Sequence, residues 1–282
     1  MPVDLSSNSY GKSEVRLTKV VRRGARHHLM ELSIDIELRG DFAESFLHGD
    51  NSKIIATDSM KNTVYVLARE REFQSPEELA LILAKHFPQT YPQVTACVVK
   101  ARQTRWSRIA VEGKPHDHAF VSAGSELITA EAAATRDKET ILRGGLSDLL
   151  VLKTTQSAFK GFVSDRFCTL KDADDRIFAT SITATWDFQA HSADFVSVSE
   201  RVRGALLDVF ATQMSFAVQE TMYQMGEAAL AVAPEISRIA LRLPNKHRIP
   251  VNLQPFELTN ENEIFVWTDE PFGDISATIA RG

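Results

Sequence analysis

The sequence predicts an α+β chain made of two halves on one plan, and three observations predict it. Apolar residues alternate with polar ones over runs suited to antiparallel strands with one buried face. Other runs place apolar residues at helical spacing behind capping residues. The order strand, strand, helix, helix, strand, strand then occurs twice, dividing the chain into residues 1–137 and 138–282.

In the first half, Glu14 to Val21 and His28 to Leu38 alternate as a hairpin across an Arg-Gly turn. The cluster Val21-Arg22-Arg23-Gly24-Ala25-Arg26 reads as a solvated turn rather than a phosphate site. The apolar run Ile54-Ile55-Ala56 stops at Thr57-Asp58, where a helix begins with Met60, Val64 and Leu67 on one face; the pattern predicts Thr57 as its N-cap. Free N–H groups at such a helix start attract anions and acceptor atoms. Ser75-Pro76-Glu77-Glu78 opens a second helix, with Ser75 as cap, Pro76 in the first helical position and Glu78 completing a capping box. Leu79, Ile82, Leu83 and Phe87 give that helix its apolar face. Val94 to Ser107 and Phe120 to Arg136 supply two more strands, the second interrupted at Gly124, with the Gly-Lys-Pro-His of residues 113–116 reading as a loop.

The second half repeats the order. Leu149 to Lys153 and Ile177 to Phe188 read as strands, the latter alternating through Ile182, Ala184 and Trp186. Val196 to Met214 reads as a helix with Val202, Leu206, Val209 and Phe210 inward. Ser215 then caps another helix, through Val218, Met222, Met225 and Ala229. Ile236 to Leu243 and Glu263 to Thr268 close the set. A sheet covered by helices on one face leaves strand edges that must be paired or protected.

Composition narrows the function classes. A formal net charge of −5 argues against a nucleic-acid binder. Cys97 and Cys168 are the only cysteines, and Cys97 lies in the apolar run Val94 to Val99, as a buried inert thiol would. No disulfide framework is indicated, which suits a reducing compartment. No apolar signal region or membrane-length run is present, and Ile279-Ala280-Arg281-Gly282 is not a Ser-Lys-Leu type of peroxisomal address. The expectation is a cytoplasmic protein that binds neither nucleic acid nor membrane. Phosphate loops, dinucleotide fingerprints and nucleophile elbows are all missing, so neither nucleotide, flavin nor acyl-enzyme chemistry is expected. In His116-Asp117-His118, alternation puts two histidines on one strand face, but a third ligand is lacking, so no metal is expected.

Several short segments carry a more specific message. These are Tyr10-Gly11-Lys12, the stretch Asn51 to Thr63 around Thr57-Asp58, Gly113 to His118, Ser157-Ala158-Phe159, Asp175-Arg176, Val218-Gln219-Glu220, and Leu243-Pro244-Asn245-Lys246-His247. In this order and spacing they resemble the urate oxidase (uricase) family from about Tyr10 to Thr268. The resemblance implies two tandem T-fold units, each an antiparallel sheet with helices on one face. It further implies subunits joining their edges into a tunnel-shaped barrel, a homotetramer, and active sites at subunit interfaces. The implied reaction converts urate, O2 and water to 5-hydroxyisourate and H2O2, in purine catabolism, with no organic cofactor and no metal.

The residues can be weighed individually. The guanidinium of Arg176 is a planar fork suited to a flat anion such as urate, although in isolation a salt bridge with Asp174 or Asp175 would be its usual fate. Gln219 offers a donor and an acceptor to a purine edge, and Val218 could lend its backbone N–H. By default Gln219 would be solvated and Phe159 would be core. The resemblance instead makes Gln219 part of the clamp and Phe159 the ring that stacks on the substrate, with Thr57 and the Asp58 backbone at the far edge. Lys12, Thr57 and His247 match the family's proton relay, and Asn245 with Thr57 its water or oxygen site. A lysine serves as a base only when its surroundings lower its pKa, whereas a histidine switches near neutrality. Asn245 and His247 share a face if their segment is extended. The alternatives are a T-fold enzyme acting on a pterin or purine-like ring, and a non-catalytic purine-binding module.

Overall fold

The computed structural model describes residues 3–282. They fall into two compact units, one taking the chain up to Gly145 together with Asp187–Val196, the other comprising Leu146–Trp186 and Ser197–Gly282.

In the first unit, β1 (Tyr10–Arg23) and β2 (Arg26–Gly40) form the expected hairpin, whose turn carries Gly24 at φ 65°. Arg22, Arg23 and Arg26 are exposed at this turn. A six-residue helix, α1 (Ala43–His48), follows; it has no buried residue and so gave the sequence no apolar stripe to read. Next come α2 (Thr57–Glu70), α3 (Pro76–Thr90), β3 (Val94–Val111) and β4 (Lys114–Thr135). The strands pair antiparallel in the order β1-β2-β3-β4. Leu32, Ile34, Ile36 and Leu38 alternate inward on β2, and Ala130, Ala132 and Ala134 do so on β4. Met60 and Val64 of α2 and Leu79, Leu83 and Phe87 of α3 meet them in one core. Each fully buried side chain of this kind contributes about 1.5–3 kcal/mol.

Two expectations for this unit are corrected. Ala56, not Thr57, is the N-cap of α2; it has no side-chain cap bond, and Thr57 is the first helical residue. Residues 113–116 are not a loop, because β3 and β4 run on to a tight turn at Glu112 and Gly113, with φ 50° and 77°. Beyond Arg108 both faces of this hairpin are largely exposed, so no apolar alternation marks it as strand. Gly124, at φ 103°, lies by a register shift between Thr104 and Trp106 rather than ending the strand.

The second unit holds most of β5 (Ile141–Lys153) and β6 (Phe178–Phe188), then α4 (Phe195–Thr212), α5 (Val218–Val232), β7 (Ile236–Arg242), β8 (His247–Pro250), β9 (Phe265–Thr268) and β10 (Ser276–Ala280). Its main strand order is β5-β6-β7-β10, while β8 and β9 make a separate ribbon. The expected closing strand near Glu263 to Thr268 therefore pairs with β8, and β10 takes the place beside β7. A single buried apolar side chain, Ile279, marks β10, too little to reveal a strand by pattern. Helix α5 approaches β10 closely: a Cβ at Gly226 would lie 2.7 Å from Ile279 side-chain atoms, so any larger residue would have to displace Ile279. Ala217, not Ser215, is the N-cap of α5. Ile182, Ala184 and Trp186 are buried as predicted.

The two units repeat local detail. In α3, Glu78 Oε2 accepts from the Gln74 N–H at 2.5 Å; in α5, Glu220 Oε2 accepts from the Phe216 N–H at 3.2 Å. Each helix has 15 residues and leads into a strand through the same turn, with Val94 N–H on Tyr91 O at 3.0 Å and Ile236 N–H on Ala233 O at 3.2 Å. Arg136 then donates to the carbonyls of Pro88, Tyr91, Pro92 and Val94, as Arg281 does to those of Leu230, Ala233 and Ile236. Both arginines follow a strand and fill the carbonyl end of a helix, where a cation is favoured.

Glu77 is the exception inside the first core. It is 1% exposed in the first turn of α3, and its Oε1 has no hydrogen-bond partner. Burial pushes its carboxyl up to about 7, against hydrogen bonds from its own backbone and Ser75 that pull it down. A carboxyl with a raised folded pKa favours the native state below the ordinary range near 4.5, and that contribution is lost as pH rises to about 7. Glu77→Gln removes the penalty of ionising a buried group. The gap in unfolding free energy between Glu77→Gln and the parent should widen with pH over this window, to on the order of 3 kcal/mol, and stay flat above it. Urea unfolding at pH 5, 6, 7 and 8 measures this; a gap independent of pH would show that Glu77 titrates normally.

Candidate active site

The first unit gathers three of the predicted residues through Tyr10. The Tyr10 hydroxyl accepts from the Ile55 N–H at 2.8 Å and donates to the Ile55 carbonyl at 3.2 Å. Ile55 lies two residues before Thr57, and Tyr10 two residues before Lys12, so one phenol ties the strand carrying Lys12 to the start of α2. Gly11 between them admits no side chain, since a Cβ would fall 1.8 Å from the Ile36 carbonyl oxygen on the neighbouring strand. Just after Lys12 the register with β2 slips by one residue, with Glu14 at φ 56°, a bulge of the kind that re-aims neighbouring side chains. Lys12 is half-buried, while Thr57 and Asp58 are exposed. The hydrogen bond and charge of Lys61 hold the Asp58 carboxyl below its ordinary range, and the positive charge of Lys12 adds to this. Lys61 Nζ lies 2.5 Å from Asp58 Oδ1. The first turn of α2 thus presents Thr57 and Asp58 with no side chain capping its N–H groups.

The second unit gathers the rest around an irregular segment between β5 and β6. Ser215 N–H donates to Gln156 O at 3.0 Å, and Ala158 N–H donates to Ser215 O at 2.8 Å. Phe159 exchanges both backbone bonds with Ala173, at 2.8 and 3.0 Å, closing the loop between them. Phe159 stacks on Phe162, with centroids 5.0 Å apart, and the Arg176 guanidinium carbon lies 5.0 Å from the Phe159 centroid. Arg176 is half-buried, and burial pushes its guanidinium down from its ordinary value without removing the charge. Neither expected acid neutralises it: Asp174 pairs with Lys160 at 2.5 Å, and Asp175 bonds the Thr155 hydroxyl and the Ser157 N–H. Among the described residues this guanidinium has no carboxylate partner. Val218 is buried at the first position of α5, and Gln219 is exposed at the second.

Leu243 to Lys246 is extended, as required for Asn245 and His247 to share a face. Leu243 and Asn245 donate to Ile275 O and Gly273 O at 2.8 and 2.9 Å, and Lys246 donates in the opposite direction to Ala179 O at 2.9 Å. Asn245 bridges Thr180 on β6, four residues beyond Arg176. His247 opens β8, opposite Thr268. Both Asn245 and His247 are half-buried.

His116 and His118 do face each other, with ring centroids 4.5 Å apart, and His27 lies 5.7 Å from His118. Among the described residues no group of three His, Cys, Asp or Glu side chains is arranged to hold a metal. Sequence reasoning missed two residues that organise the site. Tyr10 stood inside a quoted motif, and only the Ile55 contact reveals its task; Asp175 was weighed merely as a salt-bridge partner for Arg176.

The fold and these residues define a class: an α+β protein with antiparallel sheets and an uncompensated arginine beside an aromatic ring. The uricase family model matches residues 8–132 and 142–276. The uricase of Arthrobacter globiformis is 45% identical over 99% of this chain and 90% of its own length, and that of Dictyostelium discoideum is 38% identical over 98% and 97%. A crystal structure of the Arthrobacter globiformis uricase superposes with a TM-score of 0.93 at 44% identity, covering 100% of this chain and 96% of that one. A Bacillus fastidious uricase, at 22% identity and TM-score 0.86, shares the fold. The chain belongs to the uricase family, and its fold is the T-fold.

The corrected start of α2 separates stability from function. Ser75 Oγ accepts from the Glu78 N–H at 3.2 Å and caps α3, whereas Thr57 caps nothing. Ser75→Ala should cost about 1 kcal/mol of unfolding free energy and Thr57→Ala less than about 0.5 kcal/mol. Parallel urea melts check the contrast, and equal losses at both positions would return Thr57 to a capping role.

Proposed function

We propose that this chain is a urate oxidase, converting urate, O2 and water to 5-hydroxyisourate and H2O2 in purine degradation without an organic cofactor or metal. The observation that carries it is the Arg176 guanidinium: half-buried, 5.0 Å from the Phe159 ring, and with neither neighbouring aspartate on it. A planar cation without a counterion, next to an aromatic ring, suits a flat anion that presents adjacent acceptors. In this reading Arg176 and Gln219 clamp the purine, Val218 adds its backbone N–H, and Phe159 stacks on the ring. Thr57 and the Asp58 backbone contact the far edge. Lys12, Thr57 and His247 move protons from urate and to the forming peroxide, while Asn245 and Thr57 hold water or oxygen.

The reading divides labour between a first repeat, residues 1–137, which supplies Lys12, Thr57 and Asp58, and a second, residues 138–282, which supplies the clamp. Complete sites then form across subunits of a homotetramer whose sheets join into a tunnel-shaped barrel. On this reading the enzyme works in the cytoplasm, a compartment that keeps thiols such as Cys97 and Cys168 reduced.

The direct test follows urate loss by absorbance, with peroxide measured in parallel, on purified, metal-stripped protein. Turnover is expected, and its absence at micromolar enzyme would reject the reading. Two variants then separate roles: Arg176→Ala should weaken anaerobic urate binding about 10- to 100-fold by leaving the anion without its forked partner. Lys12→Met should instead cut kcat by about 100-fold or more with binding largely kept. Identical effects on affinity and kcat in both variants would contradict these roles.

A mixing experiment tests the shared site. At urate concentrations near the parent KM, Thr57→Ala and Arg176→Ala are each expected to turn over far more slowly than the parent, yet co-refolding them should raise activity above that of either variant, because some hybrid interfaces receive neither lesion. No such rise in oligomers shown to be mixed would place each site within one chain.

A further inference from the structure

Arg176 is preceded by two aspartates, and the way both are kept from it assigns a task to one of them. Asp174 is held by Lys160 at 2.5 Å. Asp175 has both oxygens engaged: Oδ2 accepts from the Thr155 hydroxyl at 2.5 Å and Oδ1 from the Ser157 N–H at 3.2 Å, with the backbone N–H groups of Gln156 and Arg176 adding to the hold. Between those two donors stands Gln156 at φ 60°, a left-handed conformation that a non-glycine residue keeps only when its surroundings impose it. A carboxylate bonded at both ends of the Thr155–Ser157 turn is such an imposition.

The turn is the root from which the binding side chains hang. Ser157 is buried, and the chain reaches Phe159 two residues later. Gln156 O and the Ala158 N–H bracket Ser215 at 3.0 and 2.8 Å, and Ser215 leads directly into Val218 and Gln219. The Thr221 hydroxyl bonds Ser215 Oγ at 2.7 Å, locking that lead into the first turn of α5. Arg176 is the residue after Asp175 itself. One carboxylate therefore sits where the backbone paths to Phe159, Arg176 and Gln219 meet.

We propose that Asp175 is a positioning residue for substrate binding: it holds Phe159, Arg176 and Gln219 in one register and, with both oxygens occupied on the Thr155–Ser157 turn, leaves the Arg176 guanidinium free for the substrate anion. This role rests on the urate reading above, and Asp175 itself touches no substrate. Loss of the carboxylate frees the turn and lets the clamp side chains spread, which weakens ground-state binding more than it slows the chemical step. Asparagine can keep much of the arrangement, because its Oδ1 still accepts from the Ser157 N–H while its amide donates to Thr155 Oγ1.

The test measures kcat, KM for urate, anaerobic urate affinity and melting temperature in the parent, Asp175→Ala, Asp175→Asn and Thr155→Val. In Asp175→Ala, KM and the anaerobic dissociation constant should rise about tenfold or more while kcat falls less than about threefold. Asp175→Asn should return affinity to within about threefold of the parent, and Thr155→Val, with one bond removed, should shift KM by about threefold in the same direction. If Asp175→Ala does not fold, the Thr155→Val shift and the Asp175→Asn value decide alone. Parent-like affinity in Asp175→Ala, or in Thr155→Val should that variant have to decide, overturns the role. So does a parallel fall in kcat, affinity and melting temperature that asparagine does not rescue. In either case a parent that binds and oxidises urate leaves the urate reading standing, whereas a parent that does neither overturns both.

Discussion

A cation on a strand, or on the residue just after one, fills the carbonyl end of each long helix, and the placing of the helices depends on it. Lys19 Nζ donates to Ala68 O and Arg71 O, at 2.9 and 3.0 Å, at the end of α2. Lys153 Nζ donates to Gln213 O at 2.7 Å, past α4, and Arg136 and Arg281 do the same for α3 and α5. Backbone carbonyls at a helix end need partners, and a charged donor gives the stronger bond while also meeting the negative end of the helix dipole. With the C-terminal ends fixed to the strands, the helix N-termini are the ends left for the recognition proposed above. Thr57 and Asp58 open α2, and Val218 and Gln219 open α5.

Fixing helices does not by itself set side chains to the accuracy that catalysis needs, and the two units finish the task with one buried or satisfied polar group each. Tyr10 does it in the first, bonded both ways to Ile55 and pressed edge-on against Phe42 at 4.8 Å. Asp175 does it in the second, through the turn at Gln156. Tyr10 bonds backbone alone, and Asp175 bonds one backbone N–H and one hydroxyl at the two ends of a turn, so each ties a whole segment in place. A displacement of about 1 Å can cost two orders of magnitude in rate, so such ties matter as much as the groups that touch substrate.

The sequence made legible whatever one buried face imprints. The inward residues of β2, α2, α3, β6 and α5 followed from period alone, and the Ser75-Pro76-Glu77-Glu78 cap was readable because its chemistry is local. What escaped lacked that imprint. Helix α1 buries nothing, the far half of the β3–β4 hairpin exposes both faces, and β10 contributes one inward side chain. Thr57 and Ser215 were misplaced by one and two residues because several residue types at a helix start satisfy the same pattern, and only backbone angles decide which is the cap. Among the proposed site residues, Arg176 and Gln219 were singled out through their motifs, yet the lack of a carboxylate on Arg176 was not legible. Local sequence favoured a salt bridge there, and the hydrogen bonds of Asp174 and Asp175 to other groups override it.

The helix start that recurs in the two units places a buried side chain in one and an exposed one in the other. Glu77 and Gln219 both stand at the second position of a 15-residue helix, one residue before a glutamate that bonds the N–H four residues upstream. In the first unit the side chain is enclosed, and burial raises its carboxyl pKa to about 7. In the second the side chain is exposed and is a neutral amide. In the proposed clamp, a carboxylate at Gln219 would offer Arg176 the counterion that Asp174 and Asp175 do not. It would also repel an anionic purine and lack the donor that its edge requires. The amide supplies donor and acceptor together and leaves the positive charge of Arg176 for the ligand. On the proposed function, the second unit thus depends on excluding, at this one matching position, the residue type that the first unit retains.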